Sequence, residues 1–313
     1  MRLCAVAAIT VIAVACGGRA PDATPASTPL ATRGAASATA VVPATAALAT
    51  VAPAPTGTVV AASLWSPIPA PSNVDVDGAQ WVAIPMPSGR VSRAAVFRPP
   101  GPGPFPVVLV LHGTEGFKTK HVQFAKDLAS SGLITVAVCW YAGNYAGAPG
   151  NRQNPPLTDA PDGIACPDGP DFAAPSTPAV VQRLQMLVAA VQSLPAARSD
   201  RVGLFGHSRG SVAALVIAAT TPEIRAVVAA AGYPDPSTLT GETAPILVLQ
   251  GTADEFYPED ARPARAFEAA MRGAGKDVES HYVEGAPHQF VFEPQWHDEA
   301  VRVAGAFLAE RLR

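Results

Sequence analysis

The sequence predicts an α/β fold: a mainly parallel sheet of about eight strands with helices on both faces. Two observations predict it. Short apolar runs alternate, along residues 74–313, with segments whose apolar positions recur at helical spacing. Most of these runs are continuous in Val, Ile, Leu and Ala, which indicates strands buried on both faces of a parallel sheet. Regular alternation of strand and helix then predicts crossover connections between parallel strands.

The strand predictions begin with a hairpin formed by WVAIPM (81–86) and SRAAVFRPP (92–100), which turns at residues 87–89. Continuous apolar runs then predict five buried strands: VVLVLHG (107–113), LITVAVCWY (133–141), RVGLFG (201–206), IRAVVAAAG (224–232) and APILVLQG (244–251). A weaker, alternating run, VESHYVEG (278–285), predicts the last strand.

Helices are predicted between these runs. One helix face is marked by apolar residues at i, i+4 and i+7 spacing before Pro195, namely Val180, Val181, Leu184, Leu187, Val188, Val191 and Leu194. Phe124 and Leu128 mark another helix before Gly132. The segment after Ser208 is apolar nearly all round, which predicts a buried helix, and residues 296–312 predict an amphipathic closing helix.

The N-terminus resembles an export signal. A basic residue precedes an apolar run over residues 3–15, which is shorter than the roughly 20 residues that a permanent membrane helix needs. The segment AVACGG (13–18) resembles the lipobox of bacterial lipoproteins, which implies that Cys16 is lipid-modified and begins the mature chain. One departure is Ala13, where that motif usually has Leu, Val or Ile. Ordinary cleavage near Ala15 or Ala20, which gives a freely secreted protein, remains the alternative.

Residues 17–73 predict a disordered linker rich in Ala, Pro and Thr, because such a segment buries too little apolar surface to offset its chain entropy. The predicted organisation is a signal peptide over 1–16, this linker, and a folded domain over 74–313. The formal net charge of −3 argues against a nucleic-acid partner. Because the apolar run at the N-terminus is too short for a permanent membrane helix, the membrane is expected as a partner only through a lipid on Cys16.

Residues 141–177 form an insertion in the folded domain, rich in Gly, Pro, Asn and Asp and without periodicity. A loop of this length in a compact domain is usually functional. Because it follows a strand whose carboxyl end should face the site, we interpret it as a cap or rim. A surface insertion without function is the alternative.

Two cysteines remain in the domain, Cys139 and Cys166, once Cys4 leaves with the signal and Cys16 carries lipid. An even pair in an exported domain predicts a disulfide, and two separate buried thiols are the alternative. Two lone cysteines do not form a zinc site, so we expect no metal.

A serine stands between two glycines in GHSRG (206–210), directly after an apolar run and directly before an apolar helix. A GxSxG pattern alone is weak, because glycine and serine are common in turns. Between a buried strand and a buried helix it predicts a strained elbow that presents Ser208 as a nucleophile. Gly206 and Gly210 supply the tiny residues that the elbow requires. The backbone N–H of Arg209 can then stabilise an oxyanion.

A serine nucleophile needs a base, and the base needs a carboxylate to orient it. Asp254 follows a buried strand, and His288 lies in the loop after the last strand. The order Ser208, Asp254, His288 is the chain order of α/β-hydrolases. Glu255 is the alternative acid, but Asp254 is the first carboxylate past the strand.

The loop HGTEG (112–116) follows an early strand and offers the backbone N–H of Thr114 as the second oxyanion donor. His112 is interpreted as a residue that stabilises this turn. The other histidines are expected on the surface, in packing or on a strand face: His121, His207, His281 and His297. Trp140 and Tyr141 end a strand and either line the pocket or pack in the core.

From about residue 78 onward, the chain resembles α/β-hydrolases of the dienelactone hydrolase and prolyl-oligopeptidase-like group. The segment LQGTADEF…APHQF (249–290) resembles that group's order of acid, helix ending in AxxxAG, strand and histidine. The resemblance implies the α/β-hydrolase fold. Dienelactone hydrolases proper carry cysteine at the elbow, so Ser208 favours general ester chemistry.

The expected function is that of an exported serine hydrolase of the cell envelope, which cleaves small carboxylic esters or lactones without a metal or organic cofactor. Two alternatives remain open. One is a peptidase of the prolyl-oligopeptidase kind, although the chain lacks the length for a propeller domain. The other is a surface lipoprotein that keeps the fold for binding only.

Overall fold

A computed structural model describes five segments of the chain: residues 63–86, 89–141, 162–166, 174–241 and 243–313. The predicted signal peptide, the predicted lipidation site Cys16, most of the predicted linker and most of the 141–177 insertion lie outside these segments. Within them, every helix is too short or too polar to cross a membrane.

One sheet is formed by the nine strands of the described segments: β1 Ser66–Pro67, β2 Gln80–Pro85, β3 Val91–Phe97, β4 Phe105–Leu111, β5 Ile134–Val138, β6 Ala197–His207, β7 Ile224–Ala230, β8 Ile246–Gly251 and β9 Val278–Val283. The helices between and after them are α1 Thr119–Leu128, α2 Pro178–Gln192, α3 Arg209–Ala218, α4 Pro258–Gly273 and α5 Pro294–Arg311.

The strand order is β1-β2-β3-β5-β4-β6-β7-β8-β9. Strands β5, β4, β6, β7, β8 and β9 pair in parallel, and β1, β2 and β3 extend the sheet in antiparallel pairing. The predicted mainly parallel α/β fold and its leading hairpin are confirmed. The structure adds one short strand, β1, to the sequence-based set.

That added strand lies inside the segment predicted as linker, so ordered structure begins before residue 74. Ser66 pairs with Ala83 and Pro67 with Val82, and the Ile68 N–H donates to the Trp81 carbonyl at 3.0 Å. Proline lacks an N–H and is tolerated on an edge strand, where one side of the backbone needs no partner. Composition alone therefore placed the domain boundary too late.

Helices cover both faces of the sheet because successive strand residues point to opposite faces. Val107, Leu109 and Leu111 of β4 pack with α2, α3 and α4 in one buried cluster. Val108 and Val110 pack with α1 and α5 in the other. The continuous apolar composition of the parallel strands follows from this double burial.

The carboxyl ends of the parallel strands meet at one edge of the sheet, where ligands bind in open α/β folds. Strand β4 leads into the 112–116 loop, β6 into Ser208, and β8 into the segment that carries Asp254. Just after β5, Cys139 forms the predicted disulfide with Cys166, with 5.7 Å between the Cα atoms. This bond ties Cys166, within the insertion, to the same edge.

Candidate active site

Ser208 lies at a sharp turn between β6 and α3. Its backbone angles are φ 54° and ψ −119°, a conformation that L-residues rarely adopt and that costs of the order of 1–3 kcal/mol. Its N–H donates to the carbonyl of Ala230 at 2.8 Å, which ties the turn to the neighbouring strand β7. The strained turn lifts the serine side chain above the end of the sheet.

The flanking glycines are required by close backbone contacts. A Cβ atom on Gly206 would overlap the carbonyl of Gly210, and a Cβ on Gly210 would overlap the carbonyl of Leu111. A Cβ on Gly232, which follows β7, would overlap the carbonyl of Ser208. Tertiary packing thus explains the two glycines of the sequence motif and adds a third.

A hydrogen-bonded chain joins the three predicted catalytic side chains. Nε2 of His288 lies 3.0 Å from Oγ of Ser208, and Nδ1 lies 2.8 Å from Oδ2 of Asp254. A carboxylate only accepts, so Nδ1 carries the hydrogen and Nε2 presents its lone pair to the serine hydroxyl. His288 is 6% exposed and Asp254 is 1% exposed. The chain of contacts is therefore shielded from solvent, and charge interactions are stronger there than they would be in water.

Asp254 is held as a carboxylate by its hydrogen bonds. Burial by itself raises its pKa, but His288 and Gln250, which donates to Oδ2 at 2.8 Å, outweigh burial and hold the pKa below its ordinary value. The N–H of Phe256 adds a third donor, to Oδ1 at 2.8 Å. An ionised Asp254 fixes the imidazole tautomer and can stabilise an imidazolium.

Glu255, the alternative acid, does not contact the imidazole. Its Oε2 accepts the backbone N–H of His288 at 3.1 Å. On the other side, Nε2 of His207 donates to the carbonyl of His288 at 3.0 Å. The side chain of His207, at the end of β6, and that of Glu255, after β8, thus hold the peptide groups of the histidine whose ring faces Ser208.

The 112–116 loop lies beside the elbow. A Cβ atom on Gly113 would lie 3.1 Å from Cβ of Ser208, and the Gly116 N–H donates to the Gly113 carbonyl at 3.1 Å to close a turn. The N–H of Thr114, the predicted oxyanion donor, has no hydrogen-bond partner among the described residues. Arg209, the other predicted donor, is the first residue of α3, directly after Ser208.

Trp140 and Tyr141 support this loop from within the core. They are 0% and 2% exposed, and they donate hydrogen bonds to the carbonyls of His112 (3.0 Å) and Gly113 (2.8 Å), respectively. The expectation that they line an open pocket is corrected, because their rings are enclosed by packing and their polar atoms face the loop backbone. Core packing, the alternative weighed from the sequence, applies.

A buried polar cluster under the loop was missed by the sequence predictions. Oε1 of Glu115 lies 3.2 Å from Nε2 of His121, 3.2 Å from Nζ of Lys120 and 3.7 Å from Nδ1 of His207. Burial by itself raises the pKa of Glu115, but the two histidines outweigh burial and the pKa lies well below its ordinary value. Glu115, Lys120 and His121 are close together in the sequence, but His207 comes from the distant strand β6, and no spacing in the sequence marks that contact.

His112 is fully enclosed next to the site. Its Nδ1 lies 3.0 Å from the Gly113 carbonyl, and its ring stacks on Tyr141 with 4.9 Å between centroids. Burial lowers its pKa to about 3, so the ring is neutral at physiological pH. The described residues contain no group of His, Cys, Asp and Glu side chains arranged to hold a metal ion.

Residues 92–306 match the model of the dienelactone hydrolase family. The chain belongs to this family. The matched range includes Ser208, Asp254, His288 and the 112–116 loop, so this dienelactone hydrolase family member carries the whole candidate site inside the shared domain. Membership makes the protein a hydrolase that acts on esters. No protein among curated sequences matches the chain.

Solved structures share the fold of this dienelactone hydrolase family member. Dienelactone hydrolase from Anabaena variabilis is 23% identical, with 75% of this chain and 100% of that chain covered and a TM-score of 0.55. The dienelactone hydrolase-like promiscuous phosphotriesterase P91 from metagenomic libraries is 17% identical, with coverage of 75% and 98% and a TM-score of 0.56. Brefeldin A esterase, a bacterial homologue of human hormone-sensitive lipase, is 17% identical, with coverage of 79% and 80% and a TM-score of 0.57.

Proposed function

We propose that the protein is an exported serine esterase that cleaves small carboxylic esters or lactones through Ser208, His288 and Asp254. The observation that carries this proposal is the chain of two short contacts from Ser208 Oγ through the imidazole to Asp254 Oδ2. Membership of the dienelactone hydrolase family supports ester substrates. Serine at the elbow favours general ester chemistry over the lactone chemistry of the cysteine enzymes.

In the acylation step, Oγ of Ser208 attacks the acyl carbonyl while its proton passes to Nε2 of His288. The backbone N–H groups of Thr114 and Arg209 donate to the oxyanion. When the tetrahedral intermediate collapses, the bond between the acyl carbon and the leaving oxygen breaks. The proton on Nε2 then passes to the leaving alcohol, and Asp254 stabilises the transient imidazolium.

In the deacylation step, His288 removes a proton from water, and the resulting oxygen nucleophile attacks the acyl-enzyme. The ester bond to Ser208 breaks, Oγ recovers its proton from His288, and the carboxylic acid leaves. Each atom that enters comes from substrate or water, so the cycle needs no cofactor.

The test is covalent labelling of the full-length protein with a fluorophosphonate probe, together with turnover of p-nitrophenyl acetate. We expect labelling and turnover in the natural protein and the loss of both in Ser208→Ala, with turnover lower by several orders of magnitude. Ser199→Ala, at an exposed serine near the start of β6 and so at the opposite end of that strand from Ser208, is the matched control. Turnover by Ser208→Ala at the natural rate would exclude this nucleophile. A folded natural protein that neither labels nor turns over esters would favour the binding-only alternative.

The proposal includes export and a lipid anchor on Cys16. It is supported by the lipobox-like AVACGG segment and by the disulfide between Cys139 and Cys166, a bond typical of exported proteins. We expect the natural chain in the membrane fraction of its bacterial host and Cys16→Ser in the soluble exported fraction. Recovery of both in the soluble exported fraction would leave ordinary secretion, and recovery of both in the membrane fraction would exclude Cys16 as the anchor.

A further inference from the structure

Phe256 is an exposed aromatic side chain at the active site. It is 68% exposed, more than Leu64 (46%) and Val91 (37%), the other large apolar side chains exposed in the described residues. Its ring packs edge-on against the imidazole of His288, with 4.6 Å between centroids and 61° between planes. Solvent therefore reaches a large aromatic surface directly beside the candidate base.

The contacts that orient the catalytic groups also fix the backbone of Phe256. Its N–H donates to Oδ1 of Asp254 at 2.8 Å, and the preceding Glu255 accepts the N–H of His288 at 3.1 Å. The ring is thus presented from a constrained segment. An apolar side chain held open to solvent at a fixed distance from a reactive group indicates a contact surface for substrate.

The geometry of proton transfer identifies the part of the substrate that this ring meets. Nε2 of His288, 3.0 Å from Ser208 Oγ, has to reach the leaving oxygen as the acyl bond breaks. The alcohol part of the ester therefore lies on the His288 side of the serine, whereas the carbonyl oxygen points to the 112–116 loop. Phe256 packs on the imidazole and so lies on the alcohol side.

We propose that Phe256 forms the wall of an alcohol subsite and selects esters of apolar, especially aromatic, alcohols. This inference rests on the proposed function, because it assumes that His288 protonates the leaving group. An aryl or benzyl group can pack against the exposed ring, whereas a methyl group is too small to reach it. The selectivity is assigned to the alcohol and not to the acyl chain.

The test compares Phe256→Ala with the natural full-length protein on two series of esters. In the first, the acyl group is acetyl and the alcohol is methanol, butanol or benzyl alcohol. In the second, the alcohol is methanol and the acyl chain grows from acetyl to hexanoyl. We expect kcat/KM for benzyl acetate to fall about tenfold, mainly through KM, while methyl acetate changes less than about twofold. The acyl-chain profile should keep its shape.

Two further variants keep the result interpretable. Phe256→Tyr retains an aromatic surface and should retain the preference for benzyl acetate. Leu64→Ala removes another exposed apolar side chain, next to edge strand β1, which four strands separate from the strand that leads to Ser208, and should leave every ratio unchanged. Each rate is compared with that of the natural protein on the same ester, so intrinsic reactivity cancels.

Three outcomes would overturn the inference. An equal fall on methyl and benzyl acetate would mean that Phe256 only supports His288. A fall that grows with acyl length would put the ring on the acyl side, and no change at all would exclude it from the substrate site. A natural protein that hydrolyses none of these esters would instead contradict the proposed function, a failure visible before any variant is made.

Discussion

The backbone carbonyl of His288 accepts a hydrogen bond from Nε2 of His207, 3.0 Å away. His207 directly precedes the candidate nucleophile, so this bond connects the elbow to the loop that carries the candidate base. Its Nδ1 faces Oε1 of Glu115, from the 112–116 loop, at 3.7 Å. Lys120 extends the connection, since its Nζ contacts both Glu115 at 3.2 Å and Oε1 of Gln289 at 2.6 Å.

Removal of the His207 side chain should slow the reaction without weakening substrate binding. We expect His207→Ala to lower kcat by about ten- to a hundredfold, because a displaced His288 no longer meets Ser208 in the productive geometry. KM should change little. His207→Gln, which keeps an N–H donor near the position of Nε2, should retain most of the activity. Steady-state kinetics together with thermal unfolding separate this effect from loss of fold. A folded His207→Ala with natural kcat would contradict the positioning role.

The two neighbouring carboxylates should differ sharply in importance. Asp254→Asn removes the acceptor that fixes the imidazole tautomer, and we expect kcat to fall by about three to four orders of magnitude. Glu255→Gln keeps an oxygen acceptor for the His288 N–H and should lower kcat less than about tenfold. The kcat values of the two variants on p-nitrophenyl acetate provide the measurement. A larger loss in Glu255→Gln would reverse the assignment of the acid.

Burial of His112 should make the fold sensitive to mild acid. Its pKa is lowered to about 3 from the ordinary 6.5. Below pH 6.5 the unfolded chain binds a proton at this residue while the folded protein does not, so the free energy of unfolding falls as the pH drops toward 3. His112→Asn keeps an N–H donor near Nδ1 and does not titrate. Between pH 7 and pH 5, we expect the free energy of unfolding of His112→Asn to fall by roughly 2 kcal/mol less than that of the natural protein.

Urea unfolding at pH 7, 6 and 5 measures this difference, and the range stays above the pH at which carboxylates take up protons in the unfolded chain. His281→Asn, at a partly exposed position on β9, is the matched control. Identical pH slopes for the natural protein and His112→Asn would show that His112 does not penalise folding in acid.

The disulfide should contribute to stability. Cys139 and Cys166 are separated by 27 residues, and closure of such a loop lowers the entropy of the unfolded chain by an amount worth about 3–4 kcal/mol. We expect the paired substitution Cys139→Ala with Cys166→Ala to lower the free energy of unfolding by about 3 kcal/mol. Reductant should lower the stability of the natural protein by a similar amount and leave the paired variant unchanged. A reductant effect on the paired variant would contradict this source of stability.

The parallel strands and the candidate triad were predictable because local signals mark them. Strands buried on both faces need continuous apolar runs, and the elbow at Ser208 needs glycine on either side. Once the fold class is known, chain order suffices to select Asp254 and His288. These features depend on residues close together in the sequence or on a fixed order of elements, and the structure brings the three side chains together.

Other features depend on contacts between distant segments, and the sequence does not mark them. His207 and His288 are 81 positions apart, and their bond exists because β6 and the loop after β9 meet at the same edge of the sheet. Burial of Trp140 and Tyr141 and exposure of Phe256 follow from the packing around each side chain and not from residue type. The sequence by itself determined which elements follow one another along the chain, and it determined the candidate reactive groups. Only the tertiary structure decided which side chains hold those groups and which meet solvent, because burial and hydrogen bonding are properties of packed segments.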